Sequence, residues 1–364
     1  MTQTINLKVN IPQKPQYSYD ILIGQNLLAD ADSFVKTYSK ANKFLIVTNE
    51  TVWNLYKNKL NIAGSGLCIL KDGEEYKNID TLKQILDCAV ANKLERKDCI
   101  IAFGGGVVGD MAGFAAASYM RGIDFLQIPT TLLAQVDSSV GGKVAINHEH
   151  GKNLIGAFYQ PKLVLVDTSV LKTLDIRQLK TGLAEVLKYA FIEKSCGCEN
   201  NYDFFEFLNK NINKIYELDP KTIAELIRIC CSLKSCVVQK DETEKGLRAI
   251  LNLGHTYAHA IENLTNYKKY THGEAVAMGI KMAFNLSLLT GQISEDAGDK
   301  ALNLIEKYGL DPESTEFCKA DFYNEMLLDK KSQDGKVRFV LPTSINSVKI
   351  VETITKEEVF KSLV

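Results

Sequence analysis

Three histidines fall within 18 residues in the C-terminal half of the chain. In LNLGHTYAHAIE, His255, His259 and Glu262 stand at positions i, i+4 and i+7, which share one face of a helix. His272 follows in THGEAVAMGI, at the start of another helical pattern. A carboxylate and two imidazoles are a standard ligand set for Zn²⁺. The spacing predicts a divalent-metal site but leaves open which two histidines bind.

A further acidic residue stands out earlier in the chain. GLAEVLKYA places Glu185 inside a helical pattern that is otherwise mostly Ala and Leu, with Lys188 one turn later. Glu185 is therefore a candidate metal ligand. The alternative for all these side chains is that they are ordinary polar groups, satisfied in the core or at the surface.

Glycines mark a second candidate site. DCIIAFGGGVVGDMAGFAAASYM is a hydrophobic strand, a glycine loop and a helix of small residues, and Gly104, Gly106 and Gly109 match G-x-G-x-x-G in that context. Such a loop lets backbone N–H groups at a helix N-terminus approach a diphosphate. The loop follows a later strand than usual, and Asp110 comes directly after it, so we predict a less common kind of dinucleotide site. A tight turn without a ligand is the alternative.

Cationic residues flank these candidate sites. VDSSVGGKVAINHEHGKNLIGAF, a region too irregular for a long helix, concentrates polar residues around glycines: Asp137, Lys143, Lys152 and Asn153. Lys234 and Arg248 precede the histidine segment. Cations beside a metal suit a substrate that carries phosphate and carboxylate. Each lysine alone is more typical of a solvated surface, and DETEKGLR is also typical of a charged turn.

Several function classes are disfavoured by the composition. The 364 residues carry a net charge of −1, with 46% hydrophobic and 24% charged residues, which is typical of a globular protein without a nucleic-acid surface. The N-terminus lacks the apolar segment of a signal peptide, and no apolar run is long enough to cross a bilayer. We therefore expect a cytoplasmic protein without membrane contact. Its nine cysteines, an odd number, are expected to be reduced thiols.

The elements that must position these residues follow from hydrophobic periodicity. Apolar runs predict buried parallel strands at 43–49, 66–70, 98–106, 125–130 and 163–169, with helices such as 79–93 and 107–118 between them. This alternation predicts a doubly wound, Rossmann-like α/β domain over residues 1–170. After about residue 170 the strands are expected to stop, which gives an all-α domain over residues 171–364. The junction is a favoured place for an active-site cleft.

The ordered set of motifs resembles the 3-dehydroquinate synthase family, within the sugar-phosphate cyclases. The motifs that carry the resemblance are GGGVVGDMAGFAAASYMRG, IPTTLLAQVDSSVGGKVAIN, GKNLIGAF, GLAEVLKYA, DETEKGLR, LNLGHTYAHAIE, HGEAVAMG and DKKSQDGKVRFVLP. Each is moderately specific, whereas the ordered set is very specific and spans most of the chain. The resemblance implies the dehydroquinate synthase-like fold and a cytoplasmic, monofunctional homodimer of the shikimate pathway.

The resemblance also implies an activity and its cofactors. The family converts 3-deoxy-D-arabino-heptulosonate 7-phosphate into 3-dehydroquinate and phosphate. The steps are transient oxidation by NAD⁺, phosphate elimination, reduction by the NADH formed, and intramolecular aldol cyclisation. One divalent metal per subunit, Zn²⁺ or Co²⁺, would lower the pKa of the substrate hydroxyl that is oxidised.

Matching positions carry the family's roles onto this chain. Glu185, His255 and His272 would hold the metal, and His259 would remain free for proton transfer near the leaving phosphate. The substrate would be surrounded by Lys143, Asn153, Lys188, Lys234, Arg248 and Asn252, with Asp137 and Lys152 nearby. Arg121 would reach into the neighbouring subunit's site. One of the late lysines, Lys330 or Lys331, would also approach the substrate.

The same resemblance assigns the NAD⁺ site. Its matched positions are Asn49, Glu74, Lys77, Gly105, Gly106, Val107, Asp110, Thr130, Thr131, Lys152, Thr173, Leu174 and Gln178. Glu74 and Lys77 would lie at the adenosine end, where a carboxylate binds ribose hydroxyls and favours NAD⁺ over NADP⁺. Two positions depart from the family pattern: Ala258 replaces a common glycine, and Gln178 replaces a common glutamate near the cofactor.

Three rival functions remain at the level of sequence. A related cyclase of the 2-deoxy-scyllo-inosose synthase type would use the same cofactors without needing a group for a substrate carboxylate. A metal-dependent polyol or glycerol-phosphate dehydrogenase would release NADH. A binding protein without catalytic activity would be indifferent to metal removal.

Overall fold

A six-stranded parallel sheet forms the centre of the N-terminal part of the chain. The computed structural model describes residues 17–312, 317–328 and 337–363. The strands of this part are β1 Asp20–Gly24, β2 Phe44–Asn49, β3 Ser65–Leu70, β4 Cys99–Gly104, β5 Asp124–Pro129, β6 Lys143–His148, β7 Gly151–Phe158 and β8 Leu163–Asp167. The sheet has the order β1-β8-β5-β4-β2-β3, and all its pairs are parallel. The order reverses direction between β2 and β4, which is where open α/β sheets bind ligands.

Helices cover both faces of this sheet. They are α1 Ala31–Tyr38, α2 Glu50–Tyr56, α3 Ile79–Ala91 and α4 Gly106–Ser118. Leu45 and Val47 of β2 pack with α3 and α4 on one face, whereas Ile101 and Phe103 of β4 pack with α1 and α2 on the other. Every residue of β2, β4 and β8 is buried, which explains their unbroken apolar runs. The predicted doubly wound α/β domain is confirmed.

Helices dominate the C-terminal part. They are α5 Ile176–Ile192, α6 Phe204–Tyr216, α7 Pro220–Lys240, α8 His255–Leu264, α9 His272–Leu289, α10 Glu295–Lys307, α11 Lys319–Leu328 and α12 Lys356–Ser362. Helix α9 is buried along most of its length and contacts α5, α8, α10 and α12. Most of its residues are apolar or small, so it packs at the centre of this part. Within the described residues, no helix has the length and apolar character needed to span a bilayer.

Two hairpins correct the sequence-based expectations. The antiparallel pair β6–β7 forms in the region considered too irregular for a long helix, where no strand was predicted. A second pair, β9 Phe339–Ser344 with β10 Ser347–Val351, lies beyond residue 170, where strands were expected to stop. β1 was also missed, because this edge strand is only partly buried and gives a weak apolar pattern. The helical character of the C-terminal part nevertheless holds.

The cysteines require a further correction. Cys198, in the segment after α5, forms a disulfide with Cys236 of α7, and their Cα atoms lie 5.7 Å apart. The expectation of reduced thiols throughout was wrong for this pair because the two residues meet only through the packing of α5 against α7. The other seven cysteines are free thiols.

Candidate functional site

Glu185, His255 and His272 meet at the centre of the helical part. Their donor atoms all lie within 4.8 Å of one another. Glu185 Oε1 lies 3.4 Å from Nε2 of His255 and 3.4 Å from Nε2 of His272. Ligand atoms at zinc distances of about 2.1 Å in a tetrahedron stand about 3.4 Å apart. The buried Oε1 of Glu185, which faces both histidines, accepts no regular hydrogen bond, so the three side chains fit a divalent metal.

Close contacts between α5 and α9 hold Glu185 and His272 in place. Gly273 lies against the backbone of Thr181 in α5, where an added Cβ would come within 2.3 Å of Thr181 Cα. The Thr181 hydroxyl also donates a 2.8 Å hydrogen bond to the Thr271 hydroxyl, which caps α9. Thr181 and Glu185 share one face of α5 because they are four residues apart. The start of α9 is therefore fixed beside Glu185, and His272 with it.

The second nitrogen of each clustered histidine has its own partner. His255 Nδ1 lies 3.1 Å from the carbonyl oxygen of Leu253, and His272 Nδ1 lies 3.3 Å from Glu262 Oε1. Burial lowers the pKa of His255 despite the neighbouring Glu185. Burial also acts to lower the pKa of His272, but the carboxylates of Glu185 and Glu262 outweigh it and raise this pKa to about 10.

His259 is placed differently from the other two histidines. Its ring centre lies 5.8 Å from that of His255, and the two rings are nearly perpendicular. The group of clustered donor atoms contains Glu185, His255 and His272 but not His259. The division of roles expected from the family resemblance stays a prediction.

A chain of buried charges leads away from the ligands. The Lys188 ammonium forms an ion pair with Glu185 and lies 3.2 Å from Asp137 Oδ2. Lys234 contacts the other carboxylate oxygen of Asp137 and donates a 2.8 Å hydrogen bond to its carbonyl oxygen. Burial acts to raise the pKa of Asp137, but the two ammonium groups outweigh it and leave that pKa below its ordinary value. Burial lowers the pKa of Lys234 although Asp137 opposes the shift.

Arg248 extends this cationic group. Its side chain is 1% exposed and donates hydrogen bonds to the carbonyl oxygens of Gly141, at 3.1 Å, and Glu242. Its Nε is buried without a partner. Burial lowers the pKa of Arg248 despite the nearby carboxylates. A buried guanidinium with an unused donor is suited to an anionic ligand.

Glu244 was missed in the sequence, where DETEKGLR also suited a charged turn. It forms an ion pair with Lys143 and accepts a 3.0 Å hydrogen bond from Asn252 Nδ2. Its φ of 61° lies in the left-handed region, a backbone conformation that residues other than glycine rarely adopt. A glutamate in such a turn gives no periodic signal, so its contact with two predicted substrate residues emerges only in the folded chain.

Predicted cofactor residues gather at the carboxyl end of the sheet. Asn49 ends β2 and Gly105 follows β4, on the two sides of the point where the strand order reverses. Gly105 packs against the loop after β5, because an added Cβ would lie 3.1 Å from the Thr131 methyl group. Thr130 is buried in the same loop, and Gly106 and Val107 begin α4. The glycine loop therefore presents backbone N–H groups where a dinucleotide would bind.

Lys77 links the glycine-loop helix to the β6–β7 hairpin. Its ammonium donates 2.6 Å hydrogen bonds to Asp110 Oδ2 and to Asn153 Oδ1. Burial raises the pKa of Asp110 although Lys77 opposes the shift. Glu74 accepts a 2.8 Å hydrogen bond from Asn147 of the same hairpin. These contacts bring the predicted adenosine-end residues together with the predicted substrate residue Asn153.

Other predicted residues lie apart from this group. Thr173 and Leu174 end the segment after β8, where the hydroxyl of Thr173 forms a hydrogen bond with that of Tyr56. Gln178 is exposed in the first turn of α5. Among the described residues, no hydrogen bond joins these three to the glycine loop. Arg121 is exposed on a turn after α4 with φ 68°. Lys330 and Lys331 lie outside the described residues.

Comparison with known families identifies both halves of the chain. Residues 67–181 match the model of the 3-dehydroquinate synthase N-terminal domain, and residues 182–332 match that of the 3-dehydroquinate synthase C-terminal domain. The 3-dehydroquinate synthase of Hydrogenovibrio crunogenus is 45% identical over 95% of this chain and 96% of its own. That of Microcystis aeruginosa is 43% identical over 96% of this chain and 95% of its own.

Solved structures show the same architecture. The 2-epi-5-epi-valiolone synthase ValA of Streptomyces hygroscopicus, with NAD⁺ and Zn²⁺ bound, aligns with a TM-score of 0.87 at 25% identity over 97% of this chain and 98% of its own. A 2-deoxy-scyllo-inosose synthase with carbaglucose-6-phosphate, NAD⁺ and Co²⁺ aligns at 0.83 and 27% identity, over 95% of this chain and 96% of its own. With both halves matched and full-length relatives above 40% identity, the chain belongs to the 3-dehydroquinate synthase family.

Proposed function

We propose that this protein converts 3-deoxy-D-arabino-heptulosonate 7-phosphate into 3-dehydroquinate and phosphate, as an NAD⁺- and divalent-metal-dependent lyase. We call Glu185, His255 and His272 the ligand group. The observation that carries the proposed function is the continuous chain of contacts from this ligand group to the buried lysines. Glu185 contacts Lys188, Lys188 contacts Asp137, and Asp137 contacts Lys234. Full-length relatives named 3-dehydroquinate synthase support the same activity.

Glu185, His255 and His272 would hold the metal. When bound, the metal would acidify a substrate hydroxyl, and NAD⁺ would accept a hydride and later return it. Lys188 keeps Glu185 ionised, because the adjacent ammonium group outweighs burial and holds the pKa of Glu185 well below its usual range. An ionised carboxylate is the form that can bind the metal.

Buried cations would bind and orient the anionic substrate. Lys234 is 7% exposed and Arg248 is 1% exposed, so their charges are screened little by solvent. Asp137 holds the ammonium groups of Lys188 and Lys234 in fixed positions. Lys143 is about half exposed and paired with Glu244, which leaves it able to turn towards an entering anion. Such groups favour the phosphate and the carboxylate of the proposed substrate.

His259 is proposed as the proton-transfer group. It lies beside His255, and its nitrogens are not among the clustered donor atoms of Glu185, His255 and His272. An imidazole nitrogen can accept and return a proton, so His259 would serve the proton transfer that accompanies loss of the phosphate. The remaining positions assigned from the resemblance to NAD⁺ and substrate keep those roles as proposals.

The choice of substrate separates this function from that of a related cyclase. We compare kcat/KM for the heptulosonate 7-phosphate, a heptulose 7-phosphate without the carboxylate, and glucose 6-phosphate. Charged hydrogen bonds to a carboxylate contribute about 1.5–3 kcal/mol each, so two of them predict a preference of at least about 100-fold for the heptulosonate. Equal or better use of either other sugar would assign the protein to another cyclase activity.

Quaternary structure and location are also part of the proposal. The family resemblance predicts a cytoplasmic homodimer in which Arg121 reaches the neighbouring site. Exposure of Met120 and Arg121 on one turn is compatible with such a contact. Hydrogen-bonding partners for Arg121 would then come from the second subunit.

A further inference from the structure

Glu262 is a buried carboxylate that lies between two predicted site residues. It is 3% exposed on α8. Its Oε1 lies 3.3 Å from Nδ1 of His272 and 3.3 Å from the ammonium nitrogen of Lys152. Glu262 is not one of the three metal ligands, and no substrate or cofactor role was assigned to it.

The two nitrogens of His272 face different carboxylates. Nε2 lies 3.4 Å from Glu185 Oε1, on the ligand side, whereas Nδ1 faces Glu262. An imidazole that binds a metal through Nε2 carries its proton on Nδ1, and a carboxylate that accepts this proton fixes both the tautomer and the ring orientation. The contact with Glu262 therefore has the direction that a metal-binding His272 requires.

His272 depends on such a partner more than His255 does. The His255 side chain is 13% exposed and has the backbone carbonyl of Leu253 at its Nδ1. The His272 side chain is 34% exposed and stands at the first position of α9. A more exposed ring at a helix end is less restricted by packing, so its orientation rests on the hydrogen bond to Glu262.

Lys152 supplies the second contact of Glu262. It belongs to β7, and its ammonium lies 3.8 Å from the centre of the Tyr267 ring, just beyond α8. The cation balances the buried carboxylate and contacts the same oxygen, Oε1, that faces His272. Lys152 is next to Asn153, which contacts Lys77, so Glu262 also joins the ligand group to the cofactor side of the site.

We propose that Glu262 is a positioning residue that orients His272 for the metal. This inference rests on the proposed function for the identity of the metal site. It assigns Glu262 a role that acts through His272, without contact with the substrate or the metal. Partners of this kind typically change metal affinity 10–100-fold when they are removed.

The test measures metal binding in the absence of NAD⁺ and substrate. Metal-free full-length protein is titrated with Zn²⁺ against a competing chelator, and with Co²⁺ while the visible spectrum is followed. In Glu262→Gln, an amide of similar size replaces the carboxylate, and we expect Zn²⁺ affinity to fall about 10–100-fold. The Co²⁺ absorption bands should also shift or weaken, because the geometry at His272 is no longer fixed.

Two variants provide matched controls. Glu193 is also 3% exposed and accepts hydrogen bonds from the backbone N–H groups of Tyr202 and Phe204, away from the ligands. Glu193→Gln should therefore leave metal affinity within about 2-fold of wild type, as expected for a change that touches none of the three clustered side chains. Lys152→Met removes the other partner of Glu262 and keeps its contact with His272, so it should change the affinity by no more than about 3-fold.

The outcomes separate this inference from the proposed function. Wild-type Zn²⁺ affinity in Glu262→Gln would overturn the inference. A loss of Zn²⁺ affinity in Lys152→Met equal to that in Glu262→Gln would also overturn it, because it would indicate a general packing effect of the β6–β7 hairpin. If Glu262→Gln does not fold, Glu262→Asp takes its place, since the shorter side chain also lengthens the 3.3 Å contact. A wild-type protein that binds one metal tightly but releases no phosphate from the heptulosonate would contradict the proposed function and leave the role of Glu262 intact.

Discussion

Lys188 contacts a predicted metal ligand on one side and a substrate-binding cluster on the other. Its ammonium pairs with Glu185 and lies 3.2 Å from Asp137. Burial acts to lower the pKa of Lys188, but the two carboxylates outweigh it and raise that pKa above its ordinary value. Lys188 is therefore a fixed positive charge, and this fixed charge ties the electrostatics of the metal site to those of the anion site.

The division of the histidines gives the first prediction. In His259→Ala, metal content should remain near that of wild type while kcat falls about 10²–10⁴-fold, the range for loss of a general acid–base group. In His255→Ala, the metal should be lost, because a ligand of the clustered group is missing. Metal analysis of the purified proteins, together with steady-state kinetics, measures both effects. Loss of metal from His259→Ala would contradict the division.

The residue types in the sequence predicted the chemistry of the site, but they predicted fewer of the contacts between its side chains. Histidine and carboxylate spacing predicted a metal, and the motif resemblance selected Glu185, His255 and His272, which the fold brings together. The resemblance did not assign Glu244 or Glu262. Their lysine partners are 101 residues away for Glu244, which contacts Lys143, and 110 residues away for Glu262, which contacts Lys152, so no local pattern encodes these two contacts.

At the scale of elements, the site depends on the close contact of α5 with α9. The guanidinium of Arg177 in α5 donates two 2.8 Å hydrogen bonds to the carboxylate of Glu274, and Glu274 also completes the capping box of α9. Gly273 allows the backbones to meet between these anchors and the ligands. A change at this glycine should therefore affect stability and metal binding together.

Gly273→Ala tests that contact. Alanine alone would favour the helix by about 1 kcal/mol, but its Cβ would meet the backbone of Thr181, which cannot move independently of α5. We expect the free energy of unfolding to fall by about 1–3 kcal/mol, with weaker Zn²⁺ binding. Denaturant unfolding and chelator competition measure the two effects.

Gly298→Ala is the matched control in α10. There an added Cβ would meet only the flexible end of the Leu288 side chain, at 2.8 Å. Its free energy of unfolding should stay within about 1 kcal/mol of wild type, with metal affinity unchanged. Equal effects in the two variants would contradict the role given to the contact between α5 and α9.

The disulfide that joins Cys198, which follows α5, to Cys236 of α7 gives a third prediction. Unreduced, denatured protein should show seven titratable thiols, since two of the nine cysteines are paired. Closing a loop over a sequence separation of 38 residues stabilises a protein by about 4 kcal/mol in the chain-entropy model. Cys198→Ser should lower the free energy of unfolding by about 2–4 kcal/mol, whereas Cys318→Ser, at an exposed free thiol, should not. Nine thiols in the unreduced protein would contradict the pairing.

Long apolar runs made the buried strands and helices predictable. Strands with a weak apolar pattern were not predicted. β2 and β4 are buried at every position, and their bounds agree with the predicted runs to within a few residues. β7 exposes four consecutive residues at its centre, so it lacks the alternation that identifies a strand. Its pairing with β6 depends on the fold around it.

At the scale of the whole molecule, one apolar core joins the sheet to the helices. Val164 and Val166 of β8 belong to the same buried cluster as Leu183 of α5, Tyr257 of α8 and Phe284 of α9. The boundary between the two domains, placed between residues 170 and 171, stays a prediction. This shared core keeps the glycine loop and the ligand group in a fixed relation, which a cofactor that reacts and is regenerated in place requires.

The proposed homodimer predicts complementation between two inactive variants. Arg121→Ala and His259→Ala are each expected to be nearly inactive as homodimers. In a mixed dimer, one site has an intact His259 and receives the partner's Arg121, so that site should work. Random reassembly after unfolding should recover roughly a quarter of wild-type activity, because half the dimers are mixed and each has one working site. No recovery in mixed dimers would contradict a site shared between subunits.

The most direct test of the central claim follows phosphate and NADH in the same reaction. Purified protein is mixed with the heptulosonate 7-phosphate, NAD⁺ and Zn²⁺, with and without a chelator. The cyclase cycle predicts metal-dependent phosphate release over many turnovers with no net NADH, because the cofactor is oxidised again within each turnover. Net accumulation of NADH without phosphate would contradict it and indicate a dehydrogenase.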